Sequence, residues 1–243
     1  MVKRKTAVAI RKAHRYLGVF LGVQFLFWTI SGIYFSWTDI DEIHGDHFRM
    51  EEAALHAFDN LLSPSEWKGE KIRTLSLRQI GGEPFYYING HILVHAQSGV
   101  VHQGLSEGEA LQVAAMHMRQ DLEVRQVERI DEAGAHHEYR GRPLPAYVVH
   151  YQEPDNLKAY VSARDGSFQS VRHRAWRWFD FLWMTHTMDY EGRDNFNTAV
   201  LRGFSLLGLV TVLSGFTLWF VTSPTIRKRF KKKKKVSVPG SGK

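Results

Sequence analysis

The 243-residue chain has no cysteine, and this absence excludes disulfides, thiolate metal sites and a cysteine nucleophile. The sequence also lacks the common catalytic signatures: no HExxH motif, glycine-rich phosphate loop, nucleophile elbow or paired catalytic carboxylate stands out. Its mean hydropathy is negative, which argues against a transporter with many spans. Nothing here requires an enzyme, and a non-enzymatic role is the expectation.

Two stretches lack any charged residue, namely Tyr16 to Trp37 and Gly203 to Ser223. At about 1.5 Å per helical residue, each is long enough to cross a hydrocarbon core of roughly 30 Å. The first stretch is too long for a typical signal peptide, and the sequence at its end is a poor cleavage site. We therefore predict two transmembrane helices, the first an uncleaved anchor, with a soluble domain between them.

Acidic residues are missing from both ends of the chain. All 25 lie between Asp39 and Asp194, whereas six basic residues precede the first span and nine follow the second. This asymmetry predicts a two-pass protein of the bacterial inner membrane, with both termini cytoplasmic and the middle periplasmic. Nucleic-acid binding is the competing explanation of the basic tail, but a lysine run directly after a span favours contact with the lipid bilayer.

The soluble stretch indicates an internal duplication of a helix followed by an antiparallel meander. Asn89-Gly90 between two apolar runs is a strong hairpin signal, and Ser106 with Glu109 forms a capping box at the start of a helix. The predicted elements of the first copy are a helix at Met50–Leu62 and strands at Lys71–Gln79, Pro84–Ile88 and His91–His95. Those of the second copy are a helix at Ser106–Met118 and strands at Leu122–Ile130, Ala146–Tyr151 and Lys158–Ser162.

The repeated unit resembles the PepSY domain. The residues that match its pattern are Tyr86, Tyr87, Ile88, Ile92, Val94, Ser98, Gly99 and Val100, and in the second copy Tyr147, Val148, Val149, Tyr160, Val161, Asp165, Gly166 and Phe168. The first span, with Arg11 to Gly18 and Ser31-Gly32, is similar to the PepSY-associated transmembrane helix family. Ser214-Gly215-Phe216 and Trp219 of the second span carry the same signature.

This resemblance implies an α+β membrane protein in which two transmembrane helices flank a soluble domain of two PepSY-like helix-plus-antiparallel-sheet units. The expected domains are a basic cytoplasmic segment (1–15), the first span (16–37), two periplasmic PepSY-like units (38–104 and 105–172), an interfacial aromatic helix and loop (173–202), the second span (203–223) and a basic tail (224–243). The leading expectation is a periplasmic binding or accessory module, linked to iron or siderophore uptake or to peptidase regulation. Its partner would be a periplasmic protein or ligand.

Two alternatives stay open at this point. Relatives that carry haem use histidines placed like His14 and His186 as axial ligands, so one alternative is a redox component that binds haem b. The other is a periplasmic metal-binding protein that uses His91 and His95, because residues four apart on a strand share a face. The leading interpretation requires no cofactor.

Small residues in the spans predict close helix packing. Gly18 and Gly22 form a GxxxG pair, a pattern that lets a second helix approach and that favours a homodimer. The other expected packing residues are Ser31, Gly32, Ser214 and Gly215.

Overall fold

The computed structural model of the protein describes residues 4–50, 56–152 and 155–224. The predicted basic tail after Pro224 and part of the predicted helix at Met50–Leu62 lie outside these residues. The chain divides into two compact units. The helical unit consists of Met1–Tyr34 and Trp183–Lys243, and the sheet unit consists of Phe35–Leu182.

The helices are α1 (Arg4–Trp37), α2 (Ile40–His44), α3 (Glu107–His117), α4 (Arg174–Thr187) and α5 (Ala199–Thr222). The strands are β1 (Leu75–Ile80), β2 (Glu83–Ile88), β3 (Ile92–His95), β4 (Val101–His102), β5 (Val124–Ile130), β6 (Ala146–Tyr151), β7 (Lys158–Ser162) and β8 (Phe168–Arg172).

The two apolar helices that the sequence predicts are present. Val8–Trp37 and Ala199–Phe220 are long and apolar enough to cross a membrane. Their outward side chains include Val19 and Leu206, which are 73% and 63% exposed. An apolar exterior of this kind is what a bilayer solvates, so the helices are compatible with a two-pass membrane protein.

The sheet unit contains two antiparallel four-stranded sheets, and both are simple meanders. The first sheet has the order β1-β2-β3-β4 and the second has the order β5-β6-β7-β8. The predicted hairpin between β2 and β3 is confirmed, because Asn89 and Gly90 both have positive φ angles, as a primed hairpin turn requires. The predicted capping box of α3 is also present.

One hydrophobic core joins the two sheets. It contains Ile80, Phe85 and Leu93 of the first sheet, and Val149 and Val161 of the second. Helix α3 contributes residues to the same core. It contacts β1 of the first sheet and all four strands of the second sheet. The sheet unit is therefore held together by apolar residues that are far apart in the sequence.

Two local predictions for the first copy are corrected. The helix predicted at Met50–Leu62 is wrong for residues 56–62, which are irregular because the Leu62 N–H donates to the Ala96 carbonyl instead of to a helical partner (2.8 Å). The strand predicted at Lys71–Gln79 begins only at Leu75. Residues 71–74 are held instead by the Asn89 side chain, which accepts from the N–H groups of Arg73 and Thr74.

Candidate functional site

A cavity of about 250 Å³ lies on the face of the first sheet that points away from the shared core. One side is lined by residues of the strands, and the other by residues 62–72 of a segment that we call the cover loop, residues 56–72. The lining is mostly apolar: Leu62, Pro64, Trp67, Ile72, Leu75, Tyr86, Ile88 and Val94, with Ser63, Glu66, Lys68, Gly69, His95 and Gly99 at its margins. Because an apolar cavity of about 150 Å³ already holds benzene, this one can accept a group of aromatic size.

Hydrogen bonds along its length hold the cover loop to the first sheet. The Tyr86 hydroxyl donates to the Leu62 carbonyl (2.8 Å), and the Gln97 amide donates to the Asp59 carbonyl (2.9 Å). The strand residues below it alternate so that Leu75, Leu77, Tyr86 and Ile88 share this face. The period of two therefore places large apolar side chains under an irregular loop that covers them only in part.

Strand β1 is an edge strand directly beside the cavity. It pairs with β2 on one side, and within the described residues no strand pairs with its other side. Leu75 and Leu77 of this strand are 39% and 47% exposed, and Ile72, just before it, is 37% exposed. An exposed apolar edge is the feature to which an extended peptide adds as a further strand.

His91 and His95, the predicted metal ligands, do not lie on one strand, because β3 begins at Ile92. The His95 Nδ1 accepts from the backbone N–H groups of Gln97 and Ser98, and its Nε2 lies 3.5 Å from Glu83. The His91 Nε2 lies 3.4 Å from Glu70. Among the described residues, no group of three or more His, Asp or Glu side chains is placed to hold a metal ion.

His14 and His186 each bond a serine of the helical unit. The His14 Nδ1 lies 2.7 Å from the Ser214 Oγ, and the His186 Nδ1 lies 2.7 Å from the Ser31 Oγ. Each serine hydroxyl donates to a carbonyl of its own helix, Ser214 to Thr211 and Ser31 to Phe27, so each histidine is the donor. This geometry favours the tautomer with the proton on Nδ1 at both histidines.

The two histidines lie at different levels along α1, because His14 belongs to this helix and His186 of α4 bonds its Ser31. Ser31 follows His14 by 17 residues on this helix, which corresponds to about 25 Å along its axis. A haem with two imidazole ligands needs both rings at one iron, so His14 and His186 of one copy do not fit a single haem. The haem alternative stays a prediction that requires a second copy or another ligand.

The predicted packing residues fall into two groups. Gly215 packs within the chain, since a Cβ there would lie 3.2 Å from the His14 ring, and Ser31 and Ser214 make the bonds just described. A Cβ at Gly18, Gly22 or Gly32 would meet no described atom within 4 Å. Gly18 and Gly22 therefore do not pack on another helix of the described chain, and their use in a homodimer stays a prediction. Gly208, which lies against Phe25, is a packing residue that the sequence patterns did not indicate.

The sequence reasoning also missed an ionic cluster in the sheet unit. Glu138 accepts from Arg177 Nε (2.7 Å), Lys158 Nζ (2.9 Å) and the Tyr160 hydroxyl (2.7 Å). Burial alone would raise the pKa of the Glu138 carboxyl, but these three hydrogen bonds outweigh it and lower the pKa to about 2. The carboxylate is therefore charged at neutral pH and joins a loop, a strand and α4.

We expect the bond between His14 and Ser214 to contribute about 1 kcal/mol to helix association, the usual size of an interhelical hydrogen bond in a membrane. The test is a double-mutant cycle with His14→Ala and Ser214→Ala, read by unfolding of the purified chain in mixed micelles. His14→Ala with Thr217→Ala is the control, because the Thr217 hydroxyl bonds its own helix at Leu213. A coupling energy for the first pair no larger than for the control would contradict this expectation.

Comparison with known proteins found no match for this chain among protein-family models, curated proteins or solved structures.

Proposed function

We propose that the protein is a membrane-anchored binding module that takes up an extended apolar peptide segment of a partner protein along β1. The observation that carries this proposal is the position of the apolar cavity beside an exposed edge strand. The peptide backbone would pair with β1, and one of its apolar side chains would enter the cavity under the cover loop. Backbone pairing supplies affinity in such complexes, and the pocket supplies specificity.

The two apolar helices support the anchoring role, and the charge asymmetry supports an inner-membrane location with the sheet unit in the periplasm. The resemblance to PepSY-associated membrane proteins supports an accessory role near iron or siderophore uptake or in peptidase regulation. A peptide-binding edge suits peptidase regulation in particular, because a peptidase or its substrate presents extended segments. No catalytic step belongs to this proposal.

Selection of random heptapeptides displayed on phage, against the purified full chain in neutral detergent, tests the proposal. We expect the selected peptides to share an apolar residue at one fixed position. Their affinity should fall at least about tenfold for Leu75→Trp, which fills the cavity, and for Leu77→Lys, which places a charge on the edge.

Val124→Lys is the matched control, because Val124 lies on the edge strand β5 of the second sheet and is 43% exposed, close to the 47% of Leu77. Its affinity for the selected peptides should equal that of the unmodified chain. The absence of enriched peptides, or equal binding to all four proteins, would contradict the proposed function.

A further inference from the structure

On the face of the second sheet opposite the shared core, the ionic cluster around Glu138 and Asp180 holds more positive than negative charge. Its two carboxylates are already engaged: Glu138 with Arg177 and Lys158, and Asp180 with Arg140 (2.6 Å). Arg142 and Arg172 make no ion pair with any carboxylate of the described residues. The cluster therefore holds five cationic side chains for two anionic ones, and the excess charge is at Arg142 and Arg172.

Contacts within the sheet unit fix the position of the Arg172 side chain. Its side chain is on the same face as that of Lys158, its partner across the β7–β8 pair, and the residue is only 8% exposed. The guanidinium donates to the carbonyls of Glu138 (3.1 Å) and Val171 (2.9 Å) and lies 4.0 Å above the Trp176 ring. Burial, and then the charge of Arg142, lower the pKa of Arg172 to about 10, so it remains charged at neutral pH.

Ser170 supplies a second, independent observation. It precedes Arg172 by two residues on β8 and therefore shares its face, opposite Tyr160. The residue is 5% exposed, and its hydroxyl has no hydrogen-bond partner among the described residues. Buried hydroxyls nearly always have a partner, so this hydroxyl is open to a water or to a ligand atom. Arg142 is close by, since it donates to the carbonyl of the adjacent Gln169 (2.9 Å).

We propose that Arg142, Arg172 and Ser170 form an anion-binding site that takes a phosphate group, supplied either by a lipid headgroup or by a free phosphate compound. Two guanidinium groups and one hydroxyl donor are the groups that recognise a phosphate, and they do so by charge-assisted hydrogen bonds. The buried environment strengthens these bonds, and a bound anion neutralises the repulsion between the two arginines. This site lies on the second sheet and is independent of the peptide site on the first.

Thermal unfolding of the full chain in neutral detergent, in sodium phosphate or in sodium chloride of equal ionic strength, tests the site. At saturating phosphate we expect the midpoint for the sheet unit to rise by about 5 °C. Arg142→Gln and Ser170→Ala should each weaken the apparent phosphate affinity, Arg142→Gln by at least about tenfold. Ser170→Ala removes one oxygen atom and should fold normally, so the test does not depend on the arginine variant.

Arg129→Gln is the control, because Arg129 is an exposed arginine of the same sheet that pairs with Asp131. A second set of unfolding measurements, in nanodiscs of phosphatidylcholine with and without phosphatidylglycerol, distinguishes a lipid phosphate from a free phosphate compound. Stabilisation by inorganic phosphate that Ser170→Ala reduces assigns the site to free phosphate compounds, and stabilisation by phosphatidylglycerol alone assigns it to lipid. No stabilisation in either set of measurements, or the same stabilisation in Ser170→Ala and Arg142→Gln as in Arg129→Gln, would overturn the proposal.

Discussion

Replacement of Glu138 by glutamine is expected to lower the free energy of unfolding of the sheet unit by about 3–5 kcal/mol. The substitution keeps the shape of the side chain but removes the charge that neutralises Arg177 and Lys158, both of which are partly buried. Breaking a buried ionic cluster by removing one partner is costly because the remaining charges stay desolvated. Urea unfolding of the purified full chain, followed by tryptophan fluorescence, measures the effect.

The same substitution should change the dependence of stability on pH. The Glu138 pKa is lowered in the folded protein to about 2 from its usual 4.5, so its contribution is complete above the usual value and is lost as the pH falls towards 2. In the Glu138→Gln variant, the free energy of unfolding should therefore fall less between neutral and acid pH than in the unmodified chain. Glu128→Gln is the control, since Glu128 is 55% exposed and pairs with His150 of the same sheet. An equal, small effect of both substitutions would contradict the account of the cluster.

Replacement of Phe85 by alanine is expected to cost about 3–5 kcal/mol and to destabilise both sheets together. Phe85 lies on β2 of the first sheet and is 4% exposed, and it belongs to the core that includes Val149 and Val161 of the second sheet. If the two sheets unfolded independently, the substitution would destabilise only the first sheet. Hydrogen exchange read segment by segment distinguishes these outcomes.

In the Phe85→Ala variant, the amides of β6 and β7 should exchange faster by the same factor as those of β2. Val101→Ala on β4 is the control, because Val101 is 54% exposed and its truncation should cost less than about 0.5 kcal/mol. Faster exchange confined to β1–β4 would show that the sheets are separate folding units and would contradict the shared core.

The elements that the sequence predicted well are those with local causes. Uncharged runs specify α1 and α5, Asn89-Gly90 specifies a hairpin turn, and Ser106 with Glu109 specifies the start of α3. The strands β6 and β7 were predicted with their observed bounds, because their apolar residues are continuous and are bounded by turn residues. In each case the determining residues are within a few positions of one another.

The features that sequence reasoning missed depend on residues far apart in the chain. The helix predicted at Met50–Leu62 failed at residues 56–62, where contacts with Tyr86 and Ala96 outweigh helical propensity. Glu138 meets Arg177 only because a loop and α4 lie on the same sheet face. The serine partners of His14 and His186 are 200 and 155 residues away, and no local pattern indicates such a distance.

The most direct test of the binding account is hydrogen exchange of the full chain with and without a heptapeptide from the phage selection. The account predicts that the peptide slows exchange in β1 (Leu75–Ile80) and in the cover loop at least about tenfold, and leaves β5 unchanged. In Leu75→Trp this protection should disappear. Protection that falls on β5 or on another part of the chain, with β1 unchanged, would contradict the account.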